Sequence, residues 1–316
     1  MKKLNLVVVF SVLAFACQQN DVMDLPSGDQ MVSEEIEFRE NPFGTIPLNQ
    51  FDPNARIESG FSLVLHSVSY LTSPESNQMG KTIFFTDRGN KQLFADFSPL
   101  APWDGKSSVD YFLDDARPPS SLDFSLAQAA IQRASSTWEG VNCSEMGLKQ
   151  SSSLQYPVGF VALVFGYPSF DFPPSEVNHL GWMPADFWEF LASGGSEFIL
   201  GATFTLTYVD NEGNDVDTNN DGKPDVAFRE IYYNDNFTWG DGVNVPQTYD
   251  VETVALHEMG HGLSQAHFGE AFRSPSGKLQ FAPRAVMNAA YSGIQTRIGG
   301  TDLAGHCSNW GNWPNQ

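Results

Sequence analysis

The sequence predicts an α+β protein, with a small β-rich N-terminal region ahead of a larger domain of sheet and helix. Three observations predict it. Short apolar runs of strand character recur at Phe61–Leu65, Thr82–Phe85, Ser108–Leu113, Phe198–Val209 and Val226–Tyr233. Two segments, 125–138 and 250–262, combine helical spacing with start and stop signals. The 316 residues, 41% of them hydrophobic, are enough for a sizeable core.

The first stretch reads as an export leader. Lys2 and Lys3 precede an apolar run, Leu4 to Ala16, that is too short for a comfortable membrane span. Two endings are open. Ala14-Phe15-Ala16 has the small-x-small form of a cleavage site, and Leu13 to Cys17 resembles a bacterial lipoprotein signal. The chain has three cysteines, so lipidation of Cys17 would leave Cys143 and Cys307 as a pair, which an oxidising compartment permits. Sequence alone does not say whether those two are bonded. The expectation is a protein exported and either anchored to a membrane by lipid or secreted.

Residues 18–35 are polar and acidic and read as a tether; residues 36–104 form the β-rich region, where His66 is an ordinary strand residue. The main domain, 105–316, begins with the strand Ser108–Leu113. In the helix that follows, Ser125 and Gln128 make a capping box, Ala127, Ile131, Ala134 and Trp138 share one face, and Gly140 ends it. Val158–Phe165 reads as a buried strand. The Pro- and aromatic-rich segment after it is expected to be a loop, with His179 a candidate for a second, structural metal site. A net charge of −21, with no basic face, excludes a nucleic-acid partner. It fits a cation-rich exterior or simply a soluble acidic surface.

Between the strands at 198–209 and 226–233 lies a polar loop. Asp217, Asn219 and Asp221 alternate, Gly222 allows a sharp turn and Asp225 follows, as in short calcium turns. Pro224 and Phe228 depart from an EF-hand. The same residues also suit a plain hairpin tip, and both readings stay open.

The segment Tyr249–His267 carries the chemistry. On a helix capped by Asp250, with Glu252 at the positive end of the dipole, His257 and His261 lie one turn apart on one face. Two such imidazoles can share a zinc ion, and Glu258 stands beside them to take a proton from water. His267 follows six residues after His261. It reaches the same ion only if the helix stops near Gly262–Ser264 and the chain turns back. A carboxylate third ligand has only Glu270 and Asp302 to draw on after Glu258, and Glu270 is too close to sit on a returning helix. Further on, Thr301 is the expected cap of a last helix from Asp302 to about Trp310.

The run His257-Glu258-Met259-Gly260-His261-Gly262-Leu263-Ser264-Gln265-Ala266-His267, with Met287 downstream in Ala285–Tyr291, resembles the metzincin metallopeptidases and their matrixin-like branch. Ser264 stands where that family has glycine, which places strain at the turn. Ala130–Trp138 is similar to the family's first helix and Ile199–Phe204 to its edge strand. Ile231–Trp239 is similar to the strand and turn before the active-site helix, and Asp302–Gly305 to its closing helix. The resemblance spans roughly 105–316. The family's silencing prosegment cysteine is absent, since no cysteine lies between Cys17 and Cys143.

The resemblance implies a twisted, mostly parallel sheet with an antiparallel edge strand, an active-site helix and a C-terminal helix. It implies a zinc metalloendopeptidase acting on proteins or peptides, with Glu258 as general acid–base and His257, His261 and His267 on the metal. Substrate would lie along the edge strand at Ala202 and Phe204, Met287 would floor the metal, and Tyr291 would shape a pocket and help hold an oxyanion. Asn288-Ala289-Ala290 lacks the matrixin proline, leaving that pocket's specificity open. Residues 18–104 allow a propeptide reading. The alternative of a different class is a catalytically silent, calcium-stabilised surface binding or adhesion module.

Overall fold

The computed structural model describes residues 35–47, 61–85, 95–99, 108–154, 156–170 and 173–314. The expected leader with Cys17 lies outside them, as does the tether except for its last residue, Glu35, which opens the first strand. The N-terminal strands are β1 (Glu35–Phe38), β2 (Thr45–Pro47), β3 (Ser62–Thr72) and β4 (Lys81–Phe84). The larger part continues with β5 (Val109–Leu113), α1 (Phe124–Glu139), β6 (Leu148–Gln150), α2 (Phe160–Val164), β7 (Val177–Met183), α3 (Ala185–Glu189), β8 (Ile199–Val209) and β9 (Val226–Asn234). After these come β10 (Thr238–Gly240), β11 (Thr248–Asp250), α4 (Val251–Gly262), the hairpin β12 (Glu270–Arg273) and β13 (Leu279–Ala282), and α5 (Gly300–Trp310).

One sheet runs β1-β4-β3-β8-β9-β7-β5-β6, with β2 also on β3. The half built after residue 108 is mostly parallel. Strands β9, β7, β5 and β6 run the same way, and β8 lies antiparallel on β9 as the outermost strand of that half. The N-terminal region does not stand apart. Strand β3 pairs antiparallel with β8 from Ser62↔Val209 to Thr72↔Ile199, so β8 is an inner strand of the whole sheet. Alternation explains the fit: Leu63, Leu65 and Val68 are buried with Phe204 and Leu206 of β8 in one cluster, each worth about 1.5–3 kcal/mol when fully buried. His66 is a buried strand residue, edge-on to Phe84 with centroids 5.5 Å apart.

Helix α4 is buried along all twelve of its residues, between α1 and the sheet. Trp138 of α1 donates its indole N–H to Leu256 O at 2.8 Å, so this large ring is both buried and satisfied. The disulfide Cys143–Cys307 joins the segment after α1 to α5. Among the described residues no helix is long and apolar enough to cross a membrane.

Four expectations need correction. Val158–Phe165 is mainly helix α2, because the carboxylate of Glu230 accepts from Phe160 N at 2.6 Å and Val161 N at 2.9 Å and so caps its start. The cap of α1 is Asp123, which accepts from Ser125 N at 2.8 Å; Ser125 itself is already helical. Helix α5 starts at Gly300, with Asp302 reaching back to Gly299 N at 2.8 Å, so Thr301 is not its cap. The aromatic segment after α2 is not all loop: β7 and α3 lie in it, and β7 carries His179.

Candidate metal centre

The helix start is as the sequence reads it: Asp250 accepts from Thr253 N at 2.8 Å. Helix α4 ends at Gly262, and a Cβ there would lie 2.9 Å from Val177 Cγ1, so the glycine is set by close packing on the sheet. The reversal falls at Ser264, whose φ is +64°, in the left-handed region that glycine usually fills. Its hydroxyl is held from both sides. It donates to Asp96 Oδ1 at 2.7 Å and accepts from Arg229 Nη1 at 2.9 Å. Arg229 is buried and ties the turn to the sheet through Gly262 O, Thr205 Oγ1 and Ala95 O. Burial pushes its pKa down to about 10, against the raising effect of nearby Asp96.

The turn brings the three histidines together. His261 Nε2 lies 3.1 Å from His257 Nε2 and 3.1 Å from His267 Nε2. The contact between His257 and His261 is not a hydrogen bond. His257 Nδ1 sits 2.7 Å from Val286 O and His261 Nδ1 2.8 Å from Gln265 O. A carbonyl only accepts, so Nδ1 carries the proton in both neutral rings and Nε2 presents a lone pair. Burial first, and the neighbouring histidines next, hold His257 down at about 3 and His261 well below the usual range, so both stay neutral at pH 7. Lone pairs converging on one point repel until a cation lies between them. Zinc bound by nitrogen at about 2.0–2.1 Å in a tetrahedron sets its ligand atoms roughly 3.3 Å apart, close to the spacing found. Among the described residues this is the one set of three His, Cys, Asp or Glu side chains whose ligand atoms all lie within 4.8 Å. The donor set fits zinc, and carbonyls fixing the outer nitrogens are its usual support.

Glu258 is fully buried beside the triad. Its Oε2 accepts from Thr203 Oγ1 of β8 at 2.7 Å, while Oε1 has no hydrogen-bond partner among the described residues. Burial raises its pKa to about 8, with the Thr203 hydroxyl and the nearby Leu71 amide pulling the other way. A buried carboxylate held through one oxygen, on the residue that follows His257, can take and return a proton.

Met287 packs against Gly260 of α4, where any Cβ would collide with its sulfur. The turn carrying it is anchored by Asp302, whose carboxylate accepts from Val286 N at 3.1 Å and Met287 N at 3.2 Å. Sequence reasoning missed both Asp302 and Thr203 as supports. A buried Asp on a returning helix and a Thr on the strand facing the metal helix carry no local signal. Tyr291 lines a small cavity with His257; its ring lies 5.3 Å from that of Tyr249, its hydroxyl accepts from Asp250 N at 3.4 Å, and burial raises its pKa to about 12. Ala202 and Phe204 do not present an open edge: they pair with Tyr70 and Val68 of β3.

The other candidates lie away from the triad. His179 Nδ1 is 2.7 Å from the Tyr233 hydroxyl, in a buried stack rather than a metal cluster. Cys143 and Cys307, whose pairing the sequence left open, are bonded to each other. In the 217–225 loop, Asp217 accepts from Asp221 N at 3.2 Å and Gly222 N at 2.9 Å, and Asn219 from Asp221 N at 3.4 Å. Asp221 accepts from Lys223 N at 2.8 Å, and Asp225 from Thr218 Oγ1 at 2.7 Å. Burial, with Asp217 and Asp221 adding to it, raises Asp225 to about 6 against the Thr218 hydrogen bonds.

No protein-family model matches the chain, and a search of curated proteins found no match.

Proposed function

We propose that this chain is a zinc-dependent metalloendopeptidase of the metzincin type, exported and held at a membrane through a lipid on Cys17. The observation that carries the reading is the convergence of three Nε2 atoms, two of them fixed as lone-pair donors, with a buried carboxylate on the residue that follows His257. The turn at Ala285–Asn288 with Met287 packed on the metal helix supports the family reading.

His257, His261 and His267 would hold the zinc, which when bound supplies Lewis acidity: it polarises a scissile carbonyl and acidifies water. Glu258 accepts the proton that water gives up and passes it to the leaving amine. In the metal-free chain burial raises the carboxyl's pKa, and the charge of bound zinc would favour the ionised form that takes the proton. Thr203 keeps Oε2 fixed, so the proton moves through Oε1. Burial keeps the carboxylate away from bulk water, which strengthens its interaction with the reacting groups. Tyr291 lines a small cavity with His257, but its hydroxyl accepts from Asp250 N at 3.4 Å, so no oxyanion role is assigned to it. The carboxylates of the 217–225 loop serve that loop's own amides, and no step is assigned to calcium.

The test is digestion of casein and a peptide library by purified zinc-loaded protein, before and after limited trypsin treatment. Glu258→Ala and a chelator serve as controls. The reading predicts cleavage that Glu258→Ala and the chelator abolish. Wild type and Glu258→Ala equally inert in every arm, with zinc held by both, would remove it.

A further inference from the structure

Strand β3 does more than extend the sheet. Its last residues lie in a slot with backbone on both sides. On one side Tyr70 and Leu71 pair antiparallel with Ala202 and Gly201 of β8. On the other, Thr72 bridges Ala290 in parallel, and Thr72 O accepts from Tyr291 N at 2.8 Å. Thr72 Oγ1 also donates to Gln78 O at 3.0 Å and lies 3.3 Å from Ala289 O. An extended peptide adding itself to β8 as a strand would make the first of these contacts.

Leu71 sits at the centre of the slot. It is 2% exposed and belongs to the core cluster on the α4 side, whereas its neighbour Tyr70 belongs to the cluster on the opposite face of the sheet. With Thr253, His257, Val286, Ala290 and Tyr291 it lines what is left of a pocket beside the triad, a cavity of about 10 Å³. The groove on the other side of His267, about 570 Å³, is lined by none of His257, Glu258 and His261. It offers no second route to the carboxylate.

We propose that Tyr70-Leu71-Thr72 is a built-in occupant of the cleft and that the folded chain is latent. An outside peptide reaches Glu258 and the pocket beside His257 only when the end of β3 leaves the slot between β8 and Ala290. The occupant lies in the same chain, runs antiparallel to β8, and fills the pocket with an apolar side chain. This inference rests on the peptidase reading for its biological meaning, but it is tested by binding.

The probe is a fluorescent peptide hydroxamate carrying a leucine side chain, titrated into the zinc-loaded full chain by polarisation. The variant Leu71→Asp places a charge in the apolar pocket; the milder Leu71→Ala is measured beside it. Zinc content and circular dichroism identify the folded samples. At least ten-fold tighter binding to Leu71→Asp than to wild type, with a smaller gain for Leu71→Ala, supports occlusion. Equal binding to wild type and to the folded variants overturns it, as does absence of binding to all zinc-loaded proteins.

Hydrogen exchange of wild type at saturating hydroxamate is independent of the variants. Amides of residues 69–72 should exchange faster when the probe is bound; tight binding with unchanged exchange there overturns the proposal. A Leu71→Asp protein that binds the probe but cleaves nothing leaves occlusion standing and removes the peptidase reading. A wild type that binds and cleaves as well as the variant does the reverse.

Discussion

Replacing Ser264 separates two opposing effects at the turn that delivers His267. The residue keeps φ at +64°, which costs an L-residue about 1–2 kcal/mol. Its hydroxyl bridges Asp96 and Arg229 at 2.7 and 2.9 Å, and hydrogen bonds to charged groups contribute about 1.5–3 kcal/mol each. The low end applies, because both charged groups keep other partners: Asp96 retains Lys223 Nζ and Phe97 N, and Arg229 retains three acceptors. Ser264→Ala loses both bonds and keeps the strain, a loss of about 3 kcal/mol. Ser264→Gly loses the same bonds but relieves the strain, a loss of about 1–2 kcal/mol. Urea unfolding of the metal-free protein measures this, with midpoints compared at unchanged slope. Ser264→Ala as stable as wild type would mean that the hydroxyl bridge contributes nothing. Equal losses in the two variants would mean that the left-handed backbone is not strained.

Titration of the site gives a second prediction. The folded metal-free chain keeps the Glu258 proton up to about pH 8, whereas an unfolded carboxyl releases it near its ordinary 4.5, so stability falls as pH rises through that window. His257 acts oppositely, adding stability as pH rises from about 3 to its ordinary 6.5. Between pH 6.5 and 8 the Glu258 effect stands alone of the two, so the metal-free protein should lose about 2 kcal/mol there, and Glu258→Gln should not. Chemical denaturation across that range checks it. The disulfide closes a loop of 164 residues, so Cys143→Ser with Cys307→Ser should cost about 3–5 kcal/mol while zinc stoichiometry is unchanged; unfolding and metal analysis read both.

Much of the metal helix is legible in the sequence, because its signals are local. Asp250 at the cap, His257 and His261 one turn apart, and His267 beyond a forced reversal can each be read within nineteen residues. Ser264 is the place where the sequence conflicts with local preference, and the conflict is resolved from far away, by Asp96 and Arg229. The failures have the same cause. Val158–Phe165 looks like a strand by composition, and only the carboxylate of Glu230, about seventy residues on, makes it helical. Alternation identifies Phe61–Leu65 as strand but says nothing about its partner, so the covering of Ala202 and Phe204 by β3 could not be read. Thr203 and Asp302, which hold Glu258 and the Met287 turn, are visible only once strand, helix and turn are packed.

The central claim is that His257, His261 and His267 hold one zinc ion. Metal analysis after dialysis, with calorimetric titration of zinc into the metal-free protein, tests it most directly. One zinc per chain, with binding lost or weakened at least 100-fold in folded His267→Ala, is the predicted result. A His267→Ala protein that holds zinc as tightly as wild type, or a folded wild type that takes up none, would contradict it.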